Sequence, residues 1–360
     1  MIKRICFWCI VAMLLLGCSP QEGYVGFPGA QRVKNSPESV VRFHSSEGHR
    51  IETEAAASAV DVIVRDSLLI FSRFGGEYGL AAVDKNKYEA RGAFLRRGRA
   101  SGEVTDLIAF GNVSLDRDDG VWRMGYRDAT GQWVFVDLLQ SLSEGNPHIL
   151  ERVAVPKDFQ NVFQKVYIGS GRFLGENLVD GRTRYERSIQ GGEAEKEINP
   201  AMERLNQAKV ESEKSGNAFD LLGTVMGYNP KLGRMVEAST YMNIIHLYDV
   251  EGSFSKTLYL GDRPDNLIEK LEEYEHTRDP REMFRATCVR VYPEYFAVMY
   301  YDHTLYLFDW TGKPLCEMSF DVPTPLFDLD LERSCLYTLD FETEAVWRFD
   351  LSSLHLAGFN

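Results

Sequence analysis

The sequence predicts an all-β chain folded as a six-bladed β-propeller with two short helical insertions. Short apolar runs rich in Val, Ile, Leu, Phe and Tyr alternate with Asp, Gly and Asn turns, and long helical periodicity is nearly absent. Six runs end at an Asp that opens a turn: Ala82-Val83-Asp84, Tyr126-Arg127-Asp128, Leu178-Val179-Asp180, Leu247-Tyr248-Asp249, Leu307-Phe308-Asp309 and Arg348-Phe349-Asp350. Their spacings are 44, 52, 69, 60 and 41 residues. A recurrence of about 40 to 50 residues, each unit holding four short strands, is the period of a propeller blade.

The first 20 residues give an address. Lys3 and Arg4 precede an apolar run from Ile5 to Leu16, in the order of a secretory signal and shorter than the roughly 20 residues that span a bilayer. The run ends in Leu15-Leu16-Gly17-Cys18, which resembles the bacterial lipobox, and Ser19-Pro20-Gln21-Glu22-Gly23 opens a polar, breaker-rich tether behind it. That resemblance implies residues 1–17 as a lipoprotein signal peptide, 18–37 as a tether lipidated at Cys18, and 38–360 as the propeller. It implies a lipid-anchored outer-membrane location in the cell envelope, for which Ser19 behind the Cys is permissive. A periplasm-facing orientation is favoured and surface display stays open.

Composition sets limits on partners. A chain that is 44% hydrophobic and 26% charged can build a core, and a formal charge of -13 excludes a polyanion such as nucleic acid.

Within the first unit, strands are expected over residues 59–64, 68–73, 79–84 and 89–95, separated by Arg65-Asp66-Ser67, Gly75-Gly76 and Lys85-Asn86-Lys87. The two long spacings come from charged insertions at 191–216 and 262–283. Each holds a short helix, one starting at Asn199-Pro200 and ending before Gly216, the other running from about Asp265 to Glu275. A two-domain β protein divided in this region is the structural alternative. The ring must be closed, because an open terminal sheet exposes unpaired edges. Val40 to Phe43 or Leu354 to Phe359 could close it, and the N-terminal segment is favoured.

Three stretches carry a family resemblance. Gly98-Arg99-Ala100-Ser101-Gly102-Glu103-Val104 is similar to a G-x-G-P-G-E-F loop but departs from it at Ala100, Ser101 and Val104. Tyr228-Asn229-Pro230, Val236-Glu237-Ala238 and Ile244 to Asp249 match a fourth-unit pattern. Phe308-Asp309-Trp310-Thr311-Gly312-Lys313-Pro314 and Phe327 to Tyr337 match the last two units. On these the chain resembles the TolB-like six-bladed propeller lipoproteins of Bacteroides-type bacteria, related in architecture to NHL-repeat propellers. The resemblance implies fold and location rather than a reaction.

Little in the sequence points to chemistry. The seven His residues show no paired metal spacing, and there is no G-x-S-x-G elbow or phosphate loop. Asp116-Arg117-Asp118-Asp119-Gly120 puts its Gly at the fifth position and Arg127 at the twelfth, which excludes an EF-type calcium loop. Lys85, Lys87, Arg91, Arg96, Arg97 and Arg99 form a local basic cluster that reads as a solvated face. Propeller ligands sit at the central channel, lined by first strands and the loops leading into them, and there Asp61, Glu103, Asp106, Arg290 and Asp328 are the polar candidates. No catalytic residue, metal ligand or cofactor is assigned. The expected function is a non-catalytic module that binds an envelope protein, peptide or glycan. The alternative is a lactonase-like propeller hydrolase or lyase with a metal in the channel. Cys288, Cys316 and Cys335 are expected as unpaired core thiols, since their assigned strands lie farther apart than the roughly 7 Å a disulfide tolerates.

Overall fold

The computed structural model describes residues 26–27, 29–34, 40–105, 114–118, 120–154, 165–169, 171–176, 184–188, 199, 201, 221–283, 285–340 and 343–354. An N-terminal strap contributes β1 (Gln31–Arg32), β2 (Val40–Phe43) and β3 (His49–Ile51). Blade I is β4 (Ala59–Arg65), β5 (Leu68–Arg73), β6 (Tyr78–Asp84) and β7 (Ala90–Arg96). Blade II is β8 (Ser114–Asp118), β9 (Val121–Arg127), β10 (Gln132–Asp137) and β11 (His148–Ala154). A three-stranded sheet follows, made of β12 (Lys165–Gly169), β13 (Arg172–Glu176) and β14 (Arg184–Ser188). Blade III is β15 (Thr224–Asn229), β16 (Arg234–Ser239), β17 (Ile244–Asp249) and β18 (Ser255–Tyr259). Blade IV is β19 (Ala286–Val291), β20 (Tyr295–Tyr300), β21 (Thr304–Asp309) and β22 (Pro314–Phe320). Blade V is β23 (Leu326–Asp330), β24 (Cys335–Asp340) and β25 (Ala345–Asp350), with β3 as its fourth strand.

The all-β propeller is present, but the expected six-bladed form is corrected. Five sheets have four or more strands and are complete blades, whereas the unit at 165–188 is a three-stranded sheet among the described residues. The residues that follow β14, 189–198, lie outside the described residues. The three-stranded sheet still packs on both sides. Trp133, Phe135 and Phe173 fill its seam with blade II, and Ile168, Leu174, Met226 and Tyr248 fill its seam with blade III.

Between complete blades the same alternation of strand side chains makes apolar seams. Ile70, Phe94, Met124 and Val134 join blades I and II. Ile245, Leu258, Phe296 and Phe308 join III and IV. Met299, Leu307, Phe327 and Leu336 join IV and V, and Val62, Phe71, Tyr337 and Val346 join V back to I. Phe71, Phe94, Phe296 and Phe308 are fully buried, each contributing about 1.5 to 3 kcal/mol of transfer free energy.

The ring is closed from the N-terminal side, but not by the segment first expected. β3 pairs antiparallel with β25 to complete blade V, whereas β2 lies parallel to β22 as a fifth strand on blade IV. β1 likewise adds a parallel fifth strand to blade III beside β18. β1, β2 and β3 therefore strap the outer edges of three successive blades, and Phe27 is buried against Met242, Ile244, Leu267 and Leu271.

Two α-helical segments are delimited among the described residues, beside three short 3-10 turns. α1 (Leu138–Glu144) has Asp137 as its N-cap, which accepts from the Gln140 N–H at 3.0 Å, and Gly145 ends it at φ 68°. Gly92 on β7 allows α1 to pack there, because a Cβ at that position would lie 2.1 Å from the Leu142 carbonyl oxygen. α2 (Leu267–His276) is the second expected insertion helix, capped by Asn266. Of the first insertion, only Asn199 and Ala201 are described, and the Asn199 side chain accepts from the Ala201 N–H at 3.0 Å. Most of that expected helix lies outside the described residues.

The Asp pattern holds at Asp84, Asp249, Asp309 and Asp350, which each end the third strand of a blade. Asp128 departs from it, following the second strand β9, because Asp137 takes the third-strand position in blade II and caps α1. Asp180 lies outside the described residues.

Candidate functional site

The first strands β4, β19 and β23 neighbour one another around the axis, which brings polar side chains from three blades together. Arg290 on β19 donates through Nη2 to the Asp61 carboxylate on β4 and to the Val62 carbonyl at 3.2 Å. Its Nε donates to the Phe327 carbonyl on β23 at 2.8 Å. Asp328 is fully buried and accepts from the Arg65 guanidinium at 2.8 Å, the Val64 N–H at 2.8 Å and the Tyr292 hydroxyl at 2.6 Å. Tyr292 in turn accepts from the Leu329 N–H at 3.0 Å. Its carbonyl accepts from Trp310 Nε1 at 3.0 Å and from Asn229 Nδ2 at 3.4 Å, which ties blade III into the same network.

Electrostatics follow from this enclosure. Burial works to lower the Arg290 guanidinium, but the charges of Asp61, Cys288, Asp328 and Tyr292 together outweigh it and hold the group above its ordinary value. Burial, reinforced by the Asp328 charge, raises the Tyr292 hydroxyl well above the usual range. Burial also pushes the neighbouring Cys288 thiol up to about 12. These are groups locked in one protonation state near neutral pH, unlike the poised groups that general acid–base catalysis uses.

Three of the five expected channel residues, Asp61, Arg290 and Asp328, therefore meet in one network. Glu103 does not join them. Its side chain accepts from the Ala100 N–H at 2.8 Å within the loop that precedes blade II, and its carbonyl accepts from Ala129 N–H at 2.8 Å. Asp106 and Cys18 lie outside the described residues. Arg65 and Tyr292 belong to the network and were not anticipated: Arg65 reads as part of the Arg65-Asp66-Ser67 turn, and Tyr292 directly follows the end of β19.

The loop at 98–104 is held by Asp128. That carboxylate accepts from the Gly102 N–H at 3.2 Å, Thr130 Oγ1 at 2.7 Å and Arg152 Nη1 at 3.0 Å. Burial opposes its ionisation, but the bonds from Thr130, Gly102 and Gln132 prevail and hold it below the usual carboxylate range. The basic cluster does not converge on one surface. Lys85 is buried in an ion pair with Asp330 at 2.5 Å, Arg91 pairs with Asp84 at 2.6 Å and Arg96 with Glu77 at 3.4 Å.

A second buried polar row crosses blade III. Glu237, His246 and Thr257 are direct cross-strand partners on β16, β17 and β18. Tyr248 donates its hydroxyl to Glu237, and His246 Nδ1 lies 3.2 Å from Thr257 Oγ1. The ring of Phe27 meets that of His246 edge-on at 4.6 Å, so the strap seals the row. Among the described residues no group of three or more His, Cys, Asp or Glu side chains is arranged to hold a metal ion.

No family model matches the chain, and no curated protein matches it. Among solved structures it is similar to Raptor from Chaetomium thermophilum, with a TM-score of 0.44 and 9% identity over 92% of this chain and 29% of that one. It is also similar to the β-propeller domain of Cps50 (Swd1) from Myceliophteria thermophila, with a TM-score of 0.41 and 12% identity over 85% of this chain and 100% of that domain. The chain thus spans less than a third of the length of Raptor.

Proposed function

We propose that the chain is a lipid-anchored β-propeller of the cell envelope that serves as a non-catalytic binding or scaffolding module. The observation that carries this reading is the axial network. Arg290, Asp61, Asp328, Arg65 and Tyr292 are engaged with one another and with backbone groups of three blades. Charges spent on joining blades are not offered to a substrate, and their enclosure favours rigidity over proton transfer. Recognition then belongs to the outer surfaces and loops, where an envelope protein, peptide or glycan is the partner and nucleic acid is not. The lipobox-like run ending at Cys18, and the resemblance to TolB-like lipoproteins, support attachment to the outer membrane with the propeller in the periplasm. Acylation suits such a role, because each buried CH₂ contributes about 0.8 kcal/mol and more than one chain gives lasting attachment.

Two measurements on the full chain test the two halves of the proposal. Metabolic labelling with an alkyne fatty acid should mark the native protein in the membrane fraction and be lost in Cys18→Ala, which should accumulate as precursor; undiminished labelling would overturn the anchor. Metal analysis of the purified protein should find no stoichiometric metal. One tightly held ion per chain would overturn the non-catalytic reading.

A further inference from the structure

Among the described residues two Phe, Tyr or Trp side chains are exposed, Phe74 at 66% and Tyr301 at 44%. Both stand in a loop between the second and third strands of a blade, Phe74 between β5 and β6 and Tyr301 between β20 and β21. Successive strands of a blade run antiparallel, so these loops share one face of the ring with the connections from blade to blade. Hydrogen bonds agree with that placement. The Phe74 N–H donates to the Ser58 carbonyl at 2.8 Å, in the connection into blade I, and the Tyr301 N–H donates to the Arg285 carbonyl at 2.8 Å, in the connection into blade IV. Tyr301 and Asp302 have φ of 54° and 57°, a region that strains a bulky side chain and that tight turns ordinarily fill with Gly or Asn. Strain retained to hold an exposed aromatic at a loop tip points to a contact made there.

The beginning of the strap lies toward the same face. Phe27 shares an apolar cluster with Met242, in the loop between the second and third strands of blade III, and with Leu267 and Leu271 of α2, in the connection into blade IV. Nine residues lead from Cys18 to Phe27. Nine fully extended residues reach at most about 30 Å. An acyl group on Cys18 therefore holds Phe27, and this side of the ring with it, within about 30 Å of a bilayer.

We propose that this face lies against the lipid surface, with Phe74 and Tyr301 seated at the boundary between headgroups and acyl chains. Aromatic side chains favour that boundary, and a tyrosine there can keep its hydroxyl among the headgroups. A zwitterionic phospholipid surface suits the chain, because a formal charge of -13 is repelled by an anionic one. The proposal rests on the lipid-anchored reading and deepens it by stating which face meets the membrane. The opposite face, which carries the loops between first and second strands, is then the one presented to a partner.

Hydrogen exchange tests the proposal on the unaltered acylated protein in phosphatidylcholine vesicles, with Cys18→Ala in buffer as the lipid-free comparison. Amides of residues 73–77 and 301–304 should exchange about threefold or more slowly on the vesicles, while those of 230–233, in the β15–β16 loop of the opposite face, should be unchanged. Position-specific labelling gives a second readout, because the three native thiols among the described residues are buried. A fluorophore on Phe74→Cys should be quenched by lipid spin-labelled at the headgroup boundary about threefold more strongly than one on Lys231→Cys. Vesicle flotation separates the two readings. Failure of the acylated protein to float with vesicles would overturn the anchor and this proposal together. Flotation with equal protection of both faces, or with stronger protection at 230–233, would overturn the proposal alone. Protection of 73–77 and 301–304 that appears only when envelope proteins are added would also overturn it, assigning the face to a protein.

Discussion

Arg290 and Asp61 are joined by a buried ion pair that runs from blade IV to blade I, past the intervening blade V. Their side chains are 6% and 5% exposed, and Asp61 also accepts from its neighbouring Val62 N–H at 2.8 Å. The pair acts as a clasp across the point where the chain's two ends of the ring meet, since β4 and β23 are the first strands of the first and last blades.

Breaking one side of that clasp should be costly. Arg290→Met removes the guanidinium that pairs with the buried Asp61 carboxylate, which is expected to lower stability by about 3 to 5 kcal/mol in urea unfolding. The double variant Asp61→Leu with Arg290→Met removes both charges and should be more stable than Arg290→Met alone. A double variant no better than the single one would show that the pair's partners, such as the Phe327 carbonyl, dominate its contribution.

Acid stability should be set in part by the capping aspartates. Asp128 is held below the usual carboxylate range, and Asp84 is held down to about 2 by the Arg91 hydrogen bond and the Asn86 N–H. Both have folded values below the unfolded value of about 3.9. The stability they supply is therefore complete above the unfolded value and is lost as pH falls through the folded one. Asp128→Asn should flatten the dependence of unfolding free energy on pH below about 4, and at pH 7 it should cost about 1 to 3 kcal/mol through the bonds from Gly102 and Arg152. An unchanged acid slope would mean that Asp128 keeps an ordinary value.

Much of the architecture was legible because blades repeat one pattern. The four strands expected in the first unit fall within one residue of β4 to β7, and Asp84, Asp249, Asp309 and Asp350 mark third-strand ends. The misread positions have local causes. α1 makes only two turns, too few for a helical period to emerge, and it displaced the Asp signal from Asp137 to Asp128. The blade count was overstated because it rested on the spacing of turn aspartates alone, whereas among the described residues the unit at 165–188 shows three strands. The strap was misassigned because an edge strand added in parallel carries no turn to fix its register.

The axial site was legible only as a set of first-strand charges. Asp61, Arg290 and Asp328 stood out because ionised side chains interrupt apolar strands, and such residues stay buried only when paired. Glu103 was picked as a residue of a loop leading toward a first strand, but its side chain turns back to the Ala100 N–H of its own loop. Which acid pairs with which base depends on the angle between blades, which no single strand encodes.

The strap should be a separable source of stability. Phe43 stacks on Phe320 at 5.6 Å between ring centroids and lies 5.7 Å from Phe349, so it pins β2 to blade IV and to blade V at once. Phe43→Ala is expected to cost about 3 to 5 kcal/mol. It should also raise amide exchange in residues 40–51 more than in β20 or β24. Uniform acceleration across all blades would mean that the strap and the ring open together.

The last prediction concerns the thiols of blades IV and V. Cys288 lies on β19, Cys316 on β22 and Cys335 on β24, and all three are buried and unpaired. β19 and β22 are separated by β20 and β21, so three inter-strand gaps of about 4.8 Å keep their cysteines beyond disulfide reach. Burial pushes Cys288 up to about 12 and Cys316 up to about 11, and it raises Cys335 as well. At pH 8 the thiolate fraction of Cys288 is then only about one in ten thousand, and the thiolate is the reactive form. Iodoacetamide should leave all three unmodified in the native protein at pH 8 and should label all three after denaturation without reductant, as read by peptide mass. Rapid native labelling at Cys316 would show that the edge of blade IV opens beneath β2, and failure to label a pair after denaturation would show a disulfide that these strand positions exclude.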